Sequence, residues 1–194
     1  MLQYIATNSS RYSIAEQCQM VIEGGCKWVE IYLPDESDNE VRNAAMDVIE
    51  VCRETDTFLL IHDHVDVVEE LRVSGVRLSS VKDAAGVRDR LGANAIIGVE
   101  VSTFEEIESL RTADIDFVTV SKKTPAELKE IADKVKAADL GIAVVALGGV
   151  TLENVEEVLA TGVNGIAVGS AILQAADPML RTSQFLEKII PVKE

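Results

Sequence analysis

The sequence predicts an α/β protein, a single (β/α)8 barrel over residues 1–194, and three observations carry that reading. Apolar runs of four to six residues alternate with amphipathic stretches about eight times, the pattern of parallel strands each followed by a helix. A helix–glycine–strand unit recurs, as in EGGCKWVEI (23–31), RVSGVRL (72–78) and ATGVNGIAV (160–168), and eight such units favour a closed barrel over an open sheet. No G-x-G-x-x-G follows the first strand, which argues against a dinucleotide-binding sheet.

Taken in order, strands are expected at Gln3–Thr7, Trp28–Tyr32, Phe58–His62, Gly75–Leu78, Ile96–Glu100, Phe117–Val120, Ala143–Leu147 and Gly165–Val168. Each is short, apolar and bounded by turn residues. Helices are expected at Ile14–Glu23, Glu40–Thr55, Val65–Ser74, Asp83–Leu91, Phe104–Ala113, Ala126–Asp139, Leu152–Thr161 and Met179–Ile190. Glycine or a small polar residue closes several of them in a left-handed cap. Thr103 before FEEI and Thr151 before LENV are expected N-caps, and Pro125 suits a first helical turn. No linker or low-complexity segment divides the chain.

The apolar fraction is 47% and the aromatic fraction only 4%, so the core is built from aliphatic side chains, as suits buried parallel strands. No apolar run reaches the roughly 20 residues of a membrane span, and the start MLQYIATNSSRY lacks the features of a signal peptide. A soluble cytoplasmic protein without membrane association is expected. A formal charge of −15 argues against nucleic acid, because an acidic surface repels phosphate backbones. Cys18, Cys26 and Cys52 form no C-x-x-C and read as packing residues in a reducing compartment.

The most informative segment is VVALGGVTLENVEEVLATGVNGIAVGSAI, Val144–Ile172. The seventh strand runs into Gly148 and Gly149, and the eighth into Gly169 and Ser170. Backbone without Cβ obstruction approaches a ligand closely, and N–H groups at the start of a helical turn bind phosphate without side-chain charge. Barrels of this kind commonly hold a phosphate in the loops after strands seven and eight. A small phosphorylated metabolite is therefore the expected ligand.

This segment, extended to Pro178, resembles the thiamine phosphate synthase and thiazole tautomerase superfamily. Fainter similarity continues in EGGCKWVEIYLP, ETDTFLLIHDHVDVVEELRVSGVRLSS and IIGVEVSTFEEIESL. The resemblance implies a transferase that joins a pyrimidine diphosphate to a thiazole phosphate with Mg2+ on the diphosphate, and a homodimer. It also exposes departures. The family's Gln-x-Arg-x-Lys at the end of strand two falls on Glu30, Tyr32 and Pro34. Its Asn-Asp pair after strand three falls on His62 and Asp63, leaving Asp63 as the Mg2+ ligand that the resemblance implies. Its second metal-binding Asp falls on Lys82, beside Asp83. The strand-five Ser falls on Glu100, and the Thr/Lys loop after strand six shortens to SKKTP, with Lys122 or Lys123 as substitute. The tautomerase's strand-five His position is Ser102.

Active sites of this fold are built from the C-terminal ends of strands. Glu30, His62, Glu100 and Lys122 are the candidate catalytic groups there, with Tyr32 and Arg77 as substrate contacts. A Glu–His–Lys–Arg set above a phosphate could perform acid–base chemistry, with Arg77 or Lys122 holding an anion; alternatively Glu30–Arg77 or Glu100–Lys122 simply pair. His62 and His64, two apart, would share a metal with Glu30 or Glu100 if the strand continued through them. Three functions follow: a thiamine phosphate synthase-like transferase, an isomerase or lyase on another phosphorylated metabolite, or a non-catalytic binder of thiamine precursors.

Overall fold

Eight runs rich in Val, Ile, Leu and Ala form the parallel strands of a closed barrel, in a computed structural model that describes residues 1–189. The strands are β1 (Leu2–Ala6), β2 (Trp28–Ile31), β3 (Phe58–His62), β4 (Gly75–Leu78), β5 (Ile96–Val101), β6 (Phe117–Ser121), β7 (Ala143–Leu147) and β8 (Gly165–Val168). They pair in chain order, and β8 closes onto β1 with Gln3 opposite Ala167. Helices α1 (Ile14–Glu23), α2 (Asp38–Glu54), α3 (Val65–Leu71), α4 (Val87–Leu91), α5 (Phe104–Ser109), α6 (Pro125–Ala137), α7 (Val155–Ala160), α8 (Ser170–Leu173) and α9 (Pro178–Ile189) surround it. This is the TIM-barrel architecture that the alternation predicts. None of these helices is long and apolar enough to cross a membrane.

Period-two alternation divides each strand between two environments. One set of side chains, among them Val29, Ile31, Ile61, Val76, Ile97, Val99 and Val118, packs outward beneath the helices. The other fills the barrel: Ile5, Trp28, Leu60, Phe117, Val145 and Ala167 form the interior cluster. Trp28 meets Phe117 edge-on at 4.9 Å between ring centroids. Gly98 makes room for that pair, since a Cβ there would lie 2.1 Å from Phe117 Cζ. Cys18, Cys26 and Cys52 are free and buried.

Several expected boundaries move, each for a local reason. The helix expected at Asp83–Leu91 is a 3-10 turn at Val81–Asp83 followed by α4, because Gly86 adopts φ +79° between them. The helix expected to Ser74 ends at Leu71. Its left-handed closing residue is Arg72, at φ +51°, and Gly75 lies in β4. Helix α5 stops at Ser109, short of the expected Ala113. Thr151 is not the N-cap of α7. Asn154 takes that place, its side chain folded back to accept from the Thr151 amide and donate to the Gly149 carbonyl, so α7 starts at Val155. Thr103 does cap α5, in a reciprocal box with Glu106, and Pro125 opens α6. Ile190, the expected last residue of the C-terminal helix, lies outside the described residues.

Candidate active site

The C-terminal ends of the strands form a mouth with two unlike walls. On one side β7 leaves the barrel through Gly148 and Gly149, both at positive φ (+83° and +73°), a conformation that an L side chain adopts only under strain. The amides of Gly148, Gly149 and Val150 have no backbone acceptor among the hydrogen bonds of the described residues. Ser170 and Ala171 open α8, where first-turn amides have no helical acceptor either. Gly148, Gly149, Gly169 and Ser170 line one cavity of about 270 Å³, together with Ile5, Thr7, Tyr32 and Leu147. Arg11 braces this wall from behind, donating to the carbonyls of Ala175 and Ala176.

Lys122 follows the last residue of β6 beside this wall. Its backbone is left-handed at φ +54° and its amide donates to the Leu147 carbonyl. With Lys123 and Thr124 it lines a cleft of about 300 Å³ that reaches Gly148 and Gly149. Lys122 makes no ion pair with the described residues, whereas Lys123 lies 3.6 Å from Glu127.

The opposite wall, from β2 to β5, is a buried charge network. Glu30 has no solvent exposure and Arg77 has 1%. Arg77 Nε donates to both Glu30 oxygens at 3.0 and 2.9 Å, and Nη2 donates to Oε1 at 2.7 Å. Nη1 of Arg77 turns the other way, to Glu100 Oε2 at 2.8 Å. Glu100 therefore pairs with Arg77 and not with Lys122, and its Oε1 accepts from Ser121 Oγ at 2.7 Å. Gln3 Nε2 donates to Glu30 from below. Burial pushes the Glu30 carboxyl up, and the Arg77 guanidinium pulls it back. Burial likewise disfavours charge on Arg77, but Glu30 and then Glu100 outweigh it and hold the guanidinium protonated. A bidentate guanidinium–carboxylate contact of this geometry is an ion pair.

His62 sits above this network, 3% exposed, with Nδ1 3.8 Å from Glu30 Oε1 and Nε2 3.2 Å from Asp63 Oδ2. Burial, then the Arg77 charge, lowers its pKa to about 4, so the ring is neutral near pH 7. The Tyr32 ring lies against it, centroids 4.6 Å apart.

The shared-metal arrangement of His62 and His64 is not formed. Asp63 adopts φ +59° between them, which breaks the strand alternation, and His64 turns out to Asp38 at 2.6 Å. Asp63, the expected Mg2+ ligand, accepts at Oδ1 from the Ser79 amide at 2.7 Å and faces His62 with Oδ2. Among the described residues no three His, Cys, Asp or Glu side chains converge as a metal site. Asp63, 39% exposed, is the one carboxylate at this position that would join a Mg2+ ion, whose other ligands would be substrate phosphate and water.

The mouth thus brings Glu30, His62, Arg77 and Glu100 into one network, with Tyr32 beside it. Lys122 stands apart with the glycines. Sequence reasoning missed Gln3 and Ser121, which hold the two carboxylates, and Ile5 and Thr7, which line the cavity. Gln3 carried a signal, as a polar residue on the inward face of an otherwise apolar strand.

The sequence signature described as thiamine monophosphate synthase matches residues 3–172. The thiamine-phosphate synthase of Bacteroides fragilis is 33% identical over 199 residues, covering 95% of this chain and 98% of that protein. The solved thiamine phosphate pyrophosphorylase of Pyrococcus furiosus superposes with a TM-score of 0.84 at 26% identity, over 97% of this chain and 94% of that one. A thiamine phosphate pyrophosphorylase structure from Bacteroides thetaiotaomicron, at 16% identity and TM-score 0.73 over all of both chains, shares the fold. Fold and sequence agree, and the chain belongs to the thiamine monophosphate synthase family.

Proposed function

We propose that the chain is a transferase of the thiamine phosphate synthase type, joining a hydroxymethylpyrimidine diphosphate to a thiazole phosphate. One observation carries the reading: the cavity in which Gly148, Gly149, Gly169 and Ser170 meet at the ends of β7 and β8. Backbone amides there bind the phosphate of the acceptor as oriented donors, at no cost in side-chain charge or entropy. Ile5, Tyr32 and Leu147 flank the ring that such a phosphate would anchor.

In the reaction the carbon–oxygen bond to the diphosphate breaks with its electron pair. The thiazole nitrogen then gives its lone pair to the pyrimidine methylene carbon, and pyrophosphate leaves. Positive charge develops on the pyrimidine and ends on the thiazolium nitrogen, with no net proton transfer. Glu100, held by Arg77 and Ser121, faces the mouth where that charge forms, and a fixed carboxylate stabilises it electrostatically. Lys122, free of ion pairs to the described residues, is the cation for the departing anion. Glu30 is a positioning residue, reaching the mouth only through Arg77. Asp63 would hold a Mg2+ ion on the diphosphate, and that ion would supply charge neutralisation for the leaving group.

Purified protein supplied with both substrates and Mg2+ is expected to form thiamine phosphate and pyrophosphate, detected by chromatography of the product. Absence of product at high enzyme concentration would overturn the transferase assignment. A second reading, acid–base isomerisation or elimination on another phosphorylated metabolite, is favoured by Glu30, Arg77 and Glu100 standing beside neutral His62. It requires that Glu30→Gln and Glu100→Gln each depress turnover of that metabolite, and unchanged rates would remove it.

A further inference from the structure

The β1–α1 loop, residues 7–13, is built as a closed strap. Gln17 of α1 is buried and uses both ends of its side-chain amide to tie the two feet of the loop together. Its Nε2 donates to the Thr7 carbonyl at 2.8 Å and to the Tyr12 carbonyl at 3.1 Å. Its Oε1 accepts from the Thr7 amide at 3.3 Å and from Tyr4 Oη at 3.0 Å. All four hydrogen-bonding positions of that amide are used. Between the feet, the Arg11 amide donates to Ser9 Oγ at 3.0 Å and Asn8 Nδ2 donates to Glu36 at 2.9 Å.

The strap carries one cation, Arg11, and aims it at α8. Arg11 Nη1 donates to the Ala175 carbonyl at 2.8 Å and lies 3.5 Å from that of Leu173, while Nη2 donates to the Ala176 carbonyl at 3.3 Å. None of these three carbonyls accepts a backbone amide among the hydrogen bonds of the described residues. Helix α8 has only four residues, and a helical turn of that length does not hold itself in water. At its other end Gly169 fits against β1, where a Cβ would lie 3.1 Å from the Ile5 carbonyl. The β1–α1 segment thus grips α8 at both ends. A cation at the last carbonyls also reinforces the dipole of the turn, whose first residues, Ser170 and Ala171, line the cavity with Gly148 and Gly149.

We propose that Arg11 is a positioning residue for the phosphate site, clasping α8 so that the amides of its first turn stay aimed into the cavity. Arg11 does not line that cavity, so it acts through α8 and not by touching the ligand. The inference rests on the phosphate-anchoring reading above. Without the clasp α8 spends part of its time in other arrangements. An anchor that is competent for only a fraction of the time binds with a dissociation constant raised by the inverse of that fraction. Lysine would keep the charge, but as a point charge it cannot reproduce a planar fork laid across several carbonyls.

The test is calorimetry with inorganic phosphate on the full chain, comparing the unmodified protein with Arg11→Met, Arg11→Lys and Arg88→Met. Arg88 is the control, because it braces backbone at the opposite end of the barrel, donating to the carbonyls of Gly92, Ala95 and Asp114. Arg11→Met is expected to weaken phosphate binding about tenfold, the yield of a charge-assisted hydrogen bond. Arg11→Lys is expected to stay well below the unmodified affinity, and it carries the comparison by itself if Arg11→Met does not fold. Arg88→Met is expected to leave phosphate affinity unchanged even where it lowers the melting temperature. Unmodified affinity in Arg11→Met overturns the inference. Full affinity in Arg11→Lys overturns the clasp and leaves Arg11 as a distant charge. An equal loss in Arg88→Met overturns positioning in favour of general loosening. If the unmodified protein does not bind phosphate, the anchor itself fails, and the inference falls with it.

Discussion

Arg77 lies between two carboxylates with almost no contact with water, and that placement decides what its loss would do. Replacing one partner of a buried ion pair leaves the other charge uncompensated, which costs about 3–5 kcal/mol, whereas neutralising both partners is often tolerated. Arg77→Met is therefore expected to lower stability by about that amount in urea unfolding, and the double variant Glu30→Gln/Arg77→Met to recover a large part of it. A double variant no more stable than the single one would show that the network contributes little as a pair. His62 makes a second prediction at this scale. Its folded pKa of about 4 lies below the ordinary 6.5, so between those values the unfolded chain takes up a proton that the native state refuses. The stability linked to the neutral ring is complete above pH 6.5 and is lost as pH falls towards 4, a loss on the order of 3 kcal/mol for a shift of this size. His62→Gln should flatten the pH dependence of the urea midpoint across this window relative to the unmodified protein. Equal slopes in the two proteins would contradict the buried neutral histidine.

The elements show why some of the fold can be read from sequence and some cannot. Four helices, α1, α2, α5 and α6, begin with reciprocal capping boxes, at Ser13/Glu16, Ser37/Glu40, Thr103/Glu106 and Thr124/Glu127. All four stand at the mouth, where βα loops meet the helices, so these local signals also stiffen the site. Thr124 holds the helix that follows Lys122 and Lys123, and Thr124→Ala is expected to cost about 1 kcal/mol, the usual worth of an N-cap. A thermal-melt comparison checks it, and an unchanged melting temperature would show that Pro125 alone secures the turn. Thr103 was legible because its partner Glu106 lies three residues along the same chain. Thr151 misled for the same local reason: Asn154 occupies the partner position, yet its amide reaches back to Gly149 and starts the helix three residues later. Gly86, which splits the expected fourth helix, looks in sequence like any tolerated helical glycine until its positive φ is seen.

At the scale of the whole molecule, strand order was legible because each βα unit repeats a local pattern, while the charged wall was not. Glu30 and Arg77 are 47 residues apart, and they meet only because register sets Glu30 opposite Leu60 and His62 opposite Arg77. Sequence could name these residues as neighbours of one mouth, but not say that the arginine would be consumed by two carboxylates. That consumption leaves the glycine cradle and Lys122 to attract an anion against a formal charge of −15. The radius of gyration for a chain of this length is about 16 Å. The Debye length is about 30 Å at 0.01 M salt, so the acidic outer surface opposes an approaching phosphate at the mouth. At 0.15 M it falls to about 8 Å, and only the groups lining the site still act. Added salt should therefore strengthen phosphate binding over this range, the reverse of what a basic anion-binding protein shows. Titrations with inorganic phosphate at the two ionic strengths test this directly. Binding that weakens steadily with salt would mean that Lys122 and other cations, rather than uncharged backbone amides, supply most of the attraction.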